Sequence, residues 1–195
     1  MNKKRVAILI SGRGSNMATL IEAAKALDYP AEIVGVLSNR AAAGGLEIAS
    51  AAGIATASLA QSKFPSRDMF EDVMTQTLES WDVDLVCLAG FMRILGDDFV
   101  NHWAGRMINI HPSLLPLYKG LHTHERALAD GATVHGCTVH FVTPGLDEGP
   151  AILQAEVPVL PDDTPDSLSD RVLVQEHRIY PEALRLLASG QVKTV

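Results

Sequence analysis

Arg5-Val6-Ala7-Ile8-Leu9-Ile10-Ser11-Gly12-Arg13-Gly14-Ser15-Asn16 lies near the start of the chain, and its reading decides the fold. Arg5–Ile10 has the length and apolar continuity of a buried strand. It gives way to glycines and small polar residues, and Ser15–Leu27 reads as the helix that follows. Outward from there the alternation continues. Glu32–Leu37 is a second strand, and Leu46–Ala52 a short helix closed by Gly53 in the C-terminal capping position. Ile54–Ser58 is a short third strand, Arg67–Ser80 an amphipathic helix and Leu85–Ala89 a fourth, apolar strand. Met107–Ile110 is another short strand, ending at His111-Pro112. Such a rhythm predicts an α/β fold: a Rossmann-like, doubly wound, mostly parallel sheet. The second half changes character. Thr133–Thr143 alternates in polarity, and Ala151–Val157 follows a Pro-Gly-rich turn, predicting an antiparallel C-terminal addition. Thr164–Ala188 then reads as a long helix, with Thr164 or Asp166 as its N-cap. Pro181 falls inside it, so a kink or break near Tyr180 is expected.

Composition bounds the function. With 195 residues and no linker, residues 1–195 are expected to form a single domain. The 47% hydrophobic and 20% charged content is that of an ordinary globular protein. Apolar runs such as Val6–Ile10 and Leu85–Ala89 are far too short to span a bilayer. The basic start, Met1-Asn2-Lys3-Lys4-Arg5, lacks the long apolar core of a secretory signal and reads as the beginning of the first strand. Cys87 and Cys137 form no Cys-x-x-Cys pair and read as buried thiols in a reducing cytoplasm. A net charge of −7 gives no basic footprint for nucleic acid and no long-range pull on phosphates. Any anion site must therefore be local.

The glycine loop offers one. Its glycines permit a tight turn, and amides at the start of the following helix can hold a single phosphate on Gly14, Ser15 and Asn16. The bland alternative is a tight turn with Ser15 or Asn16 capping the helix. A dinucleotide site is a poor match, because Met17 stands where a third glycine belongs and Ser38-Asn39 lacks the acid that grips a ribose.

Asn109-Ile110-His111-Pro112-Ser113-Leu114-Leu115-Pro116 is the most informative segment for chemistry. Residues two apart on a strand share a face, so Asn109 and His111 project together. Pro112 ends the pairing and leaves both at the sheet's carboxyl edge, where open α/β sheets bind ligands. An amide donor beside an imidazole suits stabilisation of an oxyanion while a proton moves. A partner acid sits in Thr143-Pro144-Gly145-Leu146-Asp147-Glu148-Gly149-Pro150, and spacing does not choose between Asp147 and Glu148. His122-Thr123-His124 looks like a metal pair but lacks a third ligand cluster, and reads as loop and helix-start residues.

At this point a resemblance enters. The Asn109–Pro116 segment, Leu88-Ala89-Gly90-Phe91-Met92-Arg93-Ile94-Leu95 and Leu146-Asp147-x-Gly149-Pro150 are together similar to the folate-dependent phosphoribosylglycinamide (glycinamide ribonucleotide) formyltransferases. The match runs from the glycine loop to Gln175-Glu176-His177-x-Ile179-Tyr180-Pro181, nearly the whole chain. The looser Asn-x-His-x-Ser-Leu-Leu-Pro pattern is shared with methionyl-tRNA formyltransferase and formyltetrahydrofolate deformylase, which carry an extra domain. Here Gly120-Leu121-His122-Thr123-His124 replaces the Arg-Gly-Ala-type continuation of the tRNA enzyme.

The resemblance implies transfer of a formyl group from 10-formyltetrahydrofolate to the amine of glycinamide ribonucleotide in purine biosynthesis, without a metal. It implies catalytic roles for Asn109, His111 and Asp147, which resolves the choice between the two acids. Gly14, Ser15 and Asn16 are implied to hold the ribonucleotide phosphate, and Glu176 its sugar or glycinamide part. Met92, Arg93, Ile94 and Leu95, with Asn109 and with Thr143, Pro144, Gly145, Leu146 and Asp147, are implied to bind the folate, and Arg67 to meet its benzoylglutamate end. The N-terminal half is thus expected to bind phosphate, and the C-terminal half to bind folate and catalyse. Arg13, in the variable place of the glycine loop, is expected to add a cation near the phosphate. The implied protein is cytoplasmic, a monomer or weak homodimer, with neither nucleic-acid nor membrane partners. Two rivals are a hydrolase that deformylates the same folate and a non-catalytic nucleotide-binding module using only the glycine loop.

Overall fold

Alternate residues of the first strand, β1 (Lys4–Ile10), are buried on opposite sides of one sheet. Val6, Ile8 and Ile10 enter a layer with Met17, Leu20, Tyr180 and Leu184. Ala7 and Leu9 enter another with Phe70, Met74, Leu78 and Trp103. A strand covered on both faces must be apolar throughout, which is why its sequence runs unbroken instead of alternating. The computed structural model describes residues 3–192. Met1 and Asn2 of the basic start, and Val195 at the end of the expected domain, lie outside the described residues.

After β1 come α1 (Ser15–Ala24), β2 (Ala31–Ser38), α2 (Gly44–Ala51), β3 (Ala55–Ser58), α3 (Arg67–Ser80), β4 (Leu85–Leu88), α4 (Asp97–His102) and β5 (Met107–His111). The chain continues with α5 (Thr123–Ala129), β6 (Val134–Phe141), β7 (Ala151–Pro158) and α6 (Pro165–Ala188). One seven-stranded sheet results, in the order β3-β2-β1-β4-β5-β6-β7. The pairs from β3 to β5 are parallel, and β6 is antiparallel to both β5 and β7. The expected doubly wound sheet with an antiparallel addition is what the chain forms. Its strand order reverses between β1 and β4, so the carboxyl ends of those strands flank a crevice.

Three local readings need correction. The first helix stops at Ala24, because apolar content alone carried the expectation on to Leu27, which is 97% exposed. The short α4 was not anticipated as a helix, having six residues, too few for a period to show, whereas α5 begins at Thr123, where a helix start was expected. The break expected near Tyr180 does not form, and α6 runs continuously through Pro181 from its N-cap Thr164. Tertiary anchors hold that stretch. The Tyr180 hydroxyl reaches the carbonyls of Leu88 at 2.8 Å and Ile108 at 3.3 Å, and the Tyr29 hydroxyl donates to the Pro181 carbonyl at 2.7 Å. Cys87 and Cys137 lie in the layer beneath this helix, where burial pushes both thiols up to about 12. Among the described residues, no helix is long and apolar enough to cross a membrane.

Candidate active site

The loops that leave β1 and β2 are tied together. The Ser11 hydroxyl donates to Asn39 Oδ1 at 2.5 Å, and Gly45 N donates to the Gly12 carbonyl at 3.1 Å. Gly14 takes a left-handed backbone (φ 74°), which glycine adopts without the Cβ penalty, and starts α1. A cleft of about 290 Å3 lies over this turn, lined by Ser11–Asn16, Arg40, Ala89, Gly90 and Met92. Gly14, Ser15 and Asn16 thus line one cleft. Glu176 stands behind them on α6, 8% exposed, accepting a hydrogen bond from Asn16 Nδ2 at 2.8 Å. Burial raises the Glu176 carboxyl above its ordinary value, and the Asn16 hydrogen bond opposes the rise. The other amide atom of Asn16, Oδ1, is buried without a protein partner.

A second cavity of about 190 Å3 opens at the carboxyl ends of β4 and β5. Leu88, Phe91, Arg93, Ile94, Leu95, Asn109, His140 and Thr143–Asp147 line it. The segment after β4 is a shared wall: Ala89, Gly90 and Met92 face the first cleft, while Leu88, Phe91 and Arg93 face the second. Met92 therefore lines the first cleft, while Arg93, Ile94 and Leu95 line the second. Arg67 lies outside the lining of both cavities. Its half-exposed side chain begins α3 with Nε 3.9 Å from Glu71 Oε1, and Glu71 in turn accepts from Gly96 N at 2.8 Å, one residue past the Leu95 wall. Residues from both halves of the chain meet at each cavity: Glu176 stands behind the first, and Leu88, Phe91, Arg93, Ile94 and Leu95 line the second.

Asn109, His111 and Asp147 converge. His111 Nδ1 lies 3.4 Å from Asp147 Oδ2, and that oxygen also accepts from Gly120 N at 2.8 Å. Asp147 has a left-handed backbone (φ 51°), which lets the tight turn after Pro144 send its carboxylate back under the sheet edge. His111 Nε2 is 2.9 Å from the Tyr118 carbonyl. A carbonyl can only accept, so Nε2 carries a hydrogen, and Nδ1 faces the carboxylate. His111 is 6% exposed and lies behind Asp147, outside the lining of both cavities.

His140 was missed as a site residue. In the antiparallel register it stands directly across from Asn109. Its Nδ1 faces the Phe141 carbonyl at 2.8 Å and so carries the hydrogen, leaving Nε2 to accept from Asn109 Nδ2 at 3.3 Å. Burial lowers the His140 ring below the ordinary histidine value, consistent with a neutral acceptor. One N–H of Asn109 is thereby committed to His140, which orients the amide. The only sequence signal for this was a histidine on the same alternating set as Thr138 and Val142.

The histidine pair suspected of metal binding separates. His122 is exposed beside Glu125, while His124 Nδ1 meets His135 Nε2 at 3.1 Å. Burial, and then the nearby His124, lower the His135 ring from 6.5 to about 4; burial likewise lowers His124. The unfolded chain binds protons on these rings near the ordinary histidine value, whereas the folded chain resists until lower pH. Their contribution to stability is present above about 6.5 and is lost as pH falls toward about 4. Urea midpoints are expected to be lower at pH 5 than at pH 7.5, with a smaller difference in a His135→Asn variant. An unchanged midpoint across that range would refute the assignment.

Gly149 is placed by close approach. A Cβ there would overlap the Phe141 carbonyl oxygen, so the loop carrying Asp147 packs against the end of β6 only with glycine. Gly149→Ala is expected to cost about 1–3 kcal/mol by overpacking and to lower turnover, because Asp147 two residues earlier must shift. Chemical denaturation beside steady-state rates checks this; wild-type values in both would refute it.

Two adjoining cavities, a shared wall and an amide–imidazole–carboxylate group at a sheet's carboxyl edge are the features of a two-substrate transferase. The chain belongs to the formyl transferase family, whose model matches residues 4–184. It is 50% identical to phosphoribosylglycinamide formyltransferase of Escherichia coli (strain K12), covering 96% of this chain and 89% of that protein. Similarity to the trifunctional purine biosynthetic protein adenosine-3 of Bos taurus is also 50% over 98% of this chain, which spans only 19% of that longer protein. The crystal structure of phosphoribosylglycinamide formyltransferase from Brucella melitensis superposes with a TM-score of 0.93 at 52% identity, with full coverage of both chains. Glycinamide ribonucleotide transformylase 1 from Symbiobacterium toebii does so at 0.96 with 45% identity, covering 99% of this chain and 91% of that one. The resemblance read from the motifs therefore holds over nearly the whole chain.

Proposed function

We propose that this chain is a phosphoribosylglycinamide formyltransferase, moving the formyl group of 10-formyltetrahydrofolate to the amine of glycinamide ribonucleotide in purine biosynthesis. The observation that carries the reading is the shared wall, Leu88–Arg93, which sets two cavities side by side with Asn109 and Asp147 at one of them. The ribonucleotide occupies the cleft over Gly14, Ser15 and Asn16, with Glu176 toward its sugar or glycinamide part. The folate occupies the cavity of Arg93, Ile94, Leu95, Asn109 and Thr143–Asp147, with Met92 at the partition and Arg67 at the outer, benzoylglutamate end.

The neutral amine attacks the formyl carbon, forming a C–N bond and a tetrahedral intermediate whose oxygen is negative. The Asn109 N–H not given to His140 donates to that oxygen. His111 contributes the charge of its imidazolium, held by Asp147, and not a direct hydrogen bond. The proton released by the amine passes, through a water on Asp147, to N10 of the folate as the C–N10 bond breaks. Tetrahydrofolate and the formylated amine leave. Holding both reactants in contact supplies much of the rate, and a fixed amide dipole at the oxygen supplies more. No metal enters this scheme. The reading takes residues 1–195 as one formyltransferase domain acting in the cytoplasm, monomeric or weakly dimeric, on small molecules alone.

Loss of formyl folate is followed by absorbance with and without candidate amines. Consumption that requires glycinamide ribonucleotide is the expected result. Equal consumption without any amine would reassign the chain as a hydrolase, and binding of the ribonucleotide with no affinity for folate would leave only a nucleotide-binding module.

A further inference from the structure

Arginine's planar fork of donors finds carbonyls or carboxylates readily. Most arginines here obey. Arg5 pairs with Glu32, Arg67 lies by Glu71, Arg171 is held by Asp163, Arg185 reaches Asp28, and Arg106, Arg126 and Arg178 have hydrogen-bonded acceptors of their own. Among the described residues, the guanidinium groups of Arg13, Arg40 and Arg93 have no such partner, and all three line the two cavities. Arg13 and Arg40 line the same one, on opposite loops.

Their placement follows from the sheet. β1 and β2 are parallel neighbours, with Ile10 opposite Ser38, so the loops that leave their carboxyl ends run side by side. The Ser11–Asn39 and Gly45–Gly12 hydrogen bonds clip those loops together, and Arg40 N donates to Ser38 Oγ at 3.0 Å, fixing the backbone from which its side chain departs. Two exposed cations thus line the cleft over the glycine turn, in a chain whose net charge is −7. Bringing like charges together with no protein anion between them is unfavourable unless a ligand supplies one. A phosphomonoester, carrying close to two negative charges, suits such a pair, since guanidinium groups bind phosphate oxygens in a fork geometry.

We propose that Arg40, with Arg13, forms a cationic clamp that makes this enzyme select the phosphorylated acceptor over its dephosphorylated ribonucleoside. Arg40 is a specificity-determining residue that the sequence did not suggest. The proposal rests on the glycine-loop cleft being the ribonucleotide site.

The test uses Arg40→Gln, Arg13→Gln and the double variant, with Arg40→Lys as the conservative control. A charged hydrogen bond of roughly 1.5–3 kcal/mol corresponds to tenfold or more in affinity at 1.4 kcal/mol per decade. KM for the ribonucleotide is expected to rise about tenfold in each single variant, with KM for formyl folate unmoved and partial recovery in Arg40→Lys. The ratio of kcat/KM for phosphorylated over dephosphorylated acceptor is expected to fall in parallel. Calorimetric binding of ribose 5-phosphate gives a readout independent of turnover and is expected to weaken likewise. A double variant that keeps wild-type KM and wild-type affinity for ribose 5-phosphate would overturn the clamp. Wild-type protein that binds ribose 5-phosphate through these arginines yet formylates no amine would sink the proposed reaction and leave the clamp standing.

Discussion

Asp147→Asn is expected to lower kcat by a factor on the order of 10^3, the middle of the range for a positioned acid–base group, with little change in KM for either substrate. The exchange is nearly isosteric, and an asparagine carbonyl can still accept from Gly120 N, now 2.8 Å from Asp147 Oδ2. What vanishes is the negative charge 3.4 Å from His111 Nδ1 and 3.7 Å from His140 Nε2. Without it the imidazolium of His111 loses its counter-ion in a site where that carboxylate is only 10% exposed. The water that carries the amine proton to the leaving folate nitrogen also loses its acceptor. Steady-state kinetics with both substrates, beside a thermal melt to show the fold intact, checks the outcome. Near-wild-type kcat in a folded variant would remove Asp147 from the mechanism.

The second large effect falls on Asn109. Asn109→Ala is expected to reduce kcat by about 10^2–10^3, the loss typical of one oxyanion donor. Asn109→Asp should be no better, because it keeps the shape and replaces the donor by a negative acceptor facing the developing oxyanion. His140→Ala provides the contrast. It leaves the Asn109 amide in place but frees the N–H now committed at 3.3 Å, so its loss should be smaller than that of Asn109→Ala. Combining Asn109→Ala with Asp147→Asn should fall well short of the product of the two effects, since both groups serve one tetrahedral centre. Full multiplicativity would mean that the two residues act in separate steps.

Some of this site was legible before any coordinates. Asn109 and His111 are two apart on a strand that a proline terminates, so their common face and edge position follow from strand geometry alone. Gly14, Ser15 and Asn16 follow from a turn that only glycine makes easily. The acid was not legible in this way: Asp147 and Glu148 are adjacent in a loop, the resemblance favours Asp147, and in the fold Asp147 lies by His111 while Glu148 pairs with Lys119. His140, Arg40 and the occupied nitrogens of His111 were not legible at all. Each depends on a partner far along the chain: Asn109 for His140, the loop after β1 for Arg40, and Tyr118 with Asp147 for His111.

The sequence by itself determined the alternation of strands and helices apart from the short α4, the two-faced burial of the parallel strands and the motifs of a formyl-transferring family. Those properties are local, because apolar periodicity, turn chemistry and short motifs need only neighbouring residues. Tertiary structure alone decided that one loop would partition two cavities, that α6 would pass intact through Pro181, and that the arginines at the glycine turn would stand without protein partners. These outcomes depend on register between strands and on contacts between residues remote in the chain, which no window of sequence contains.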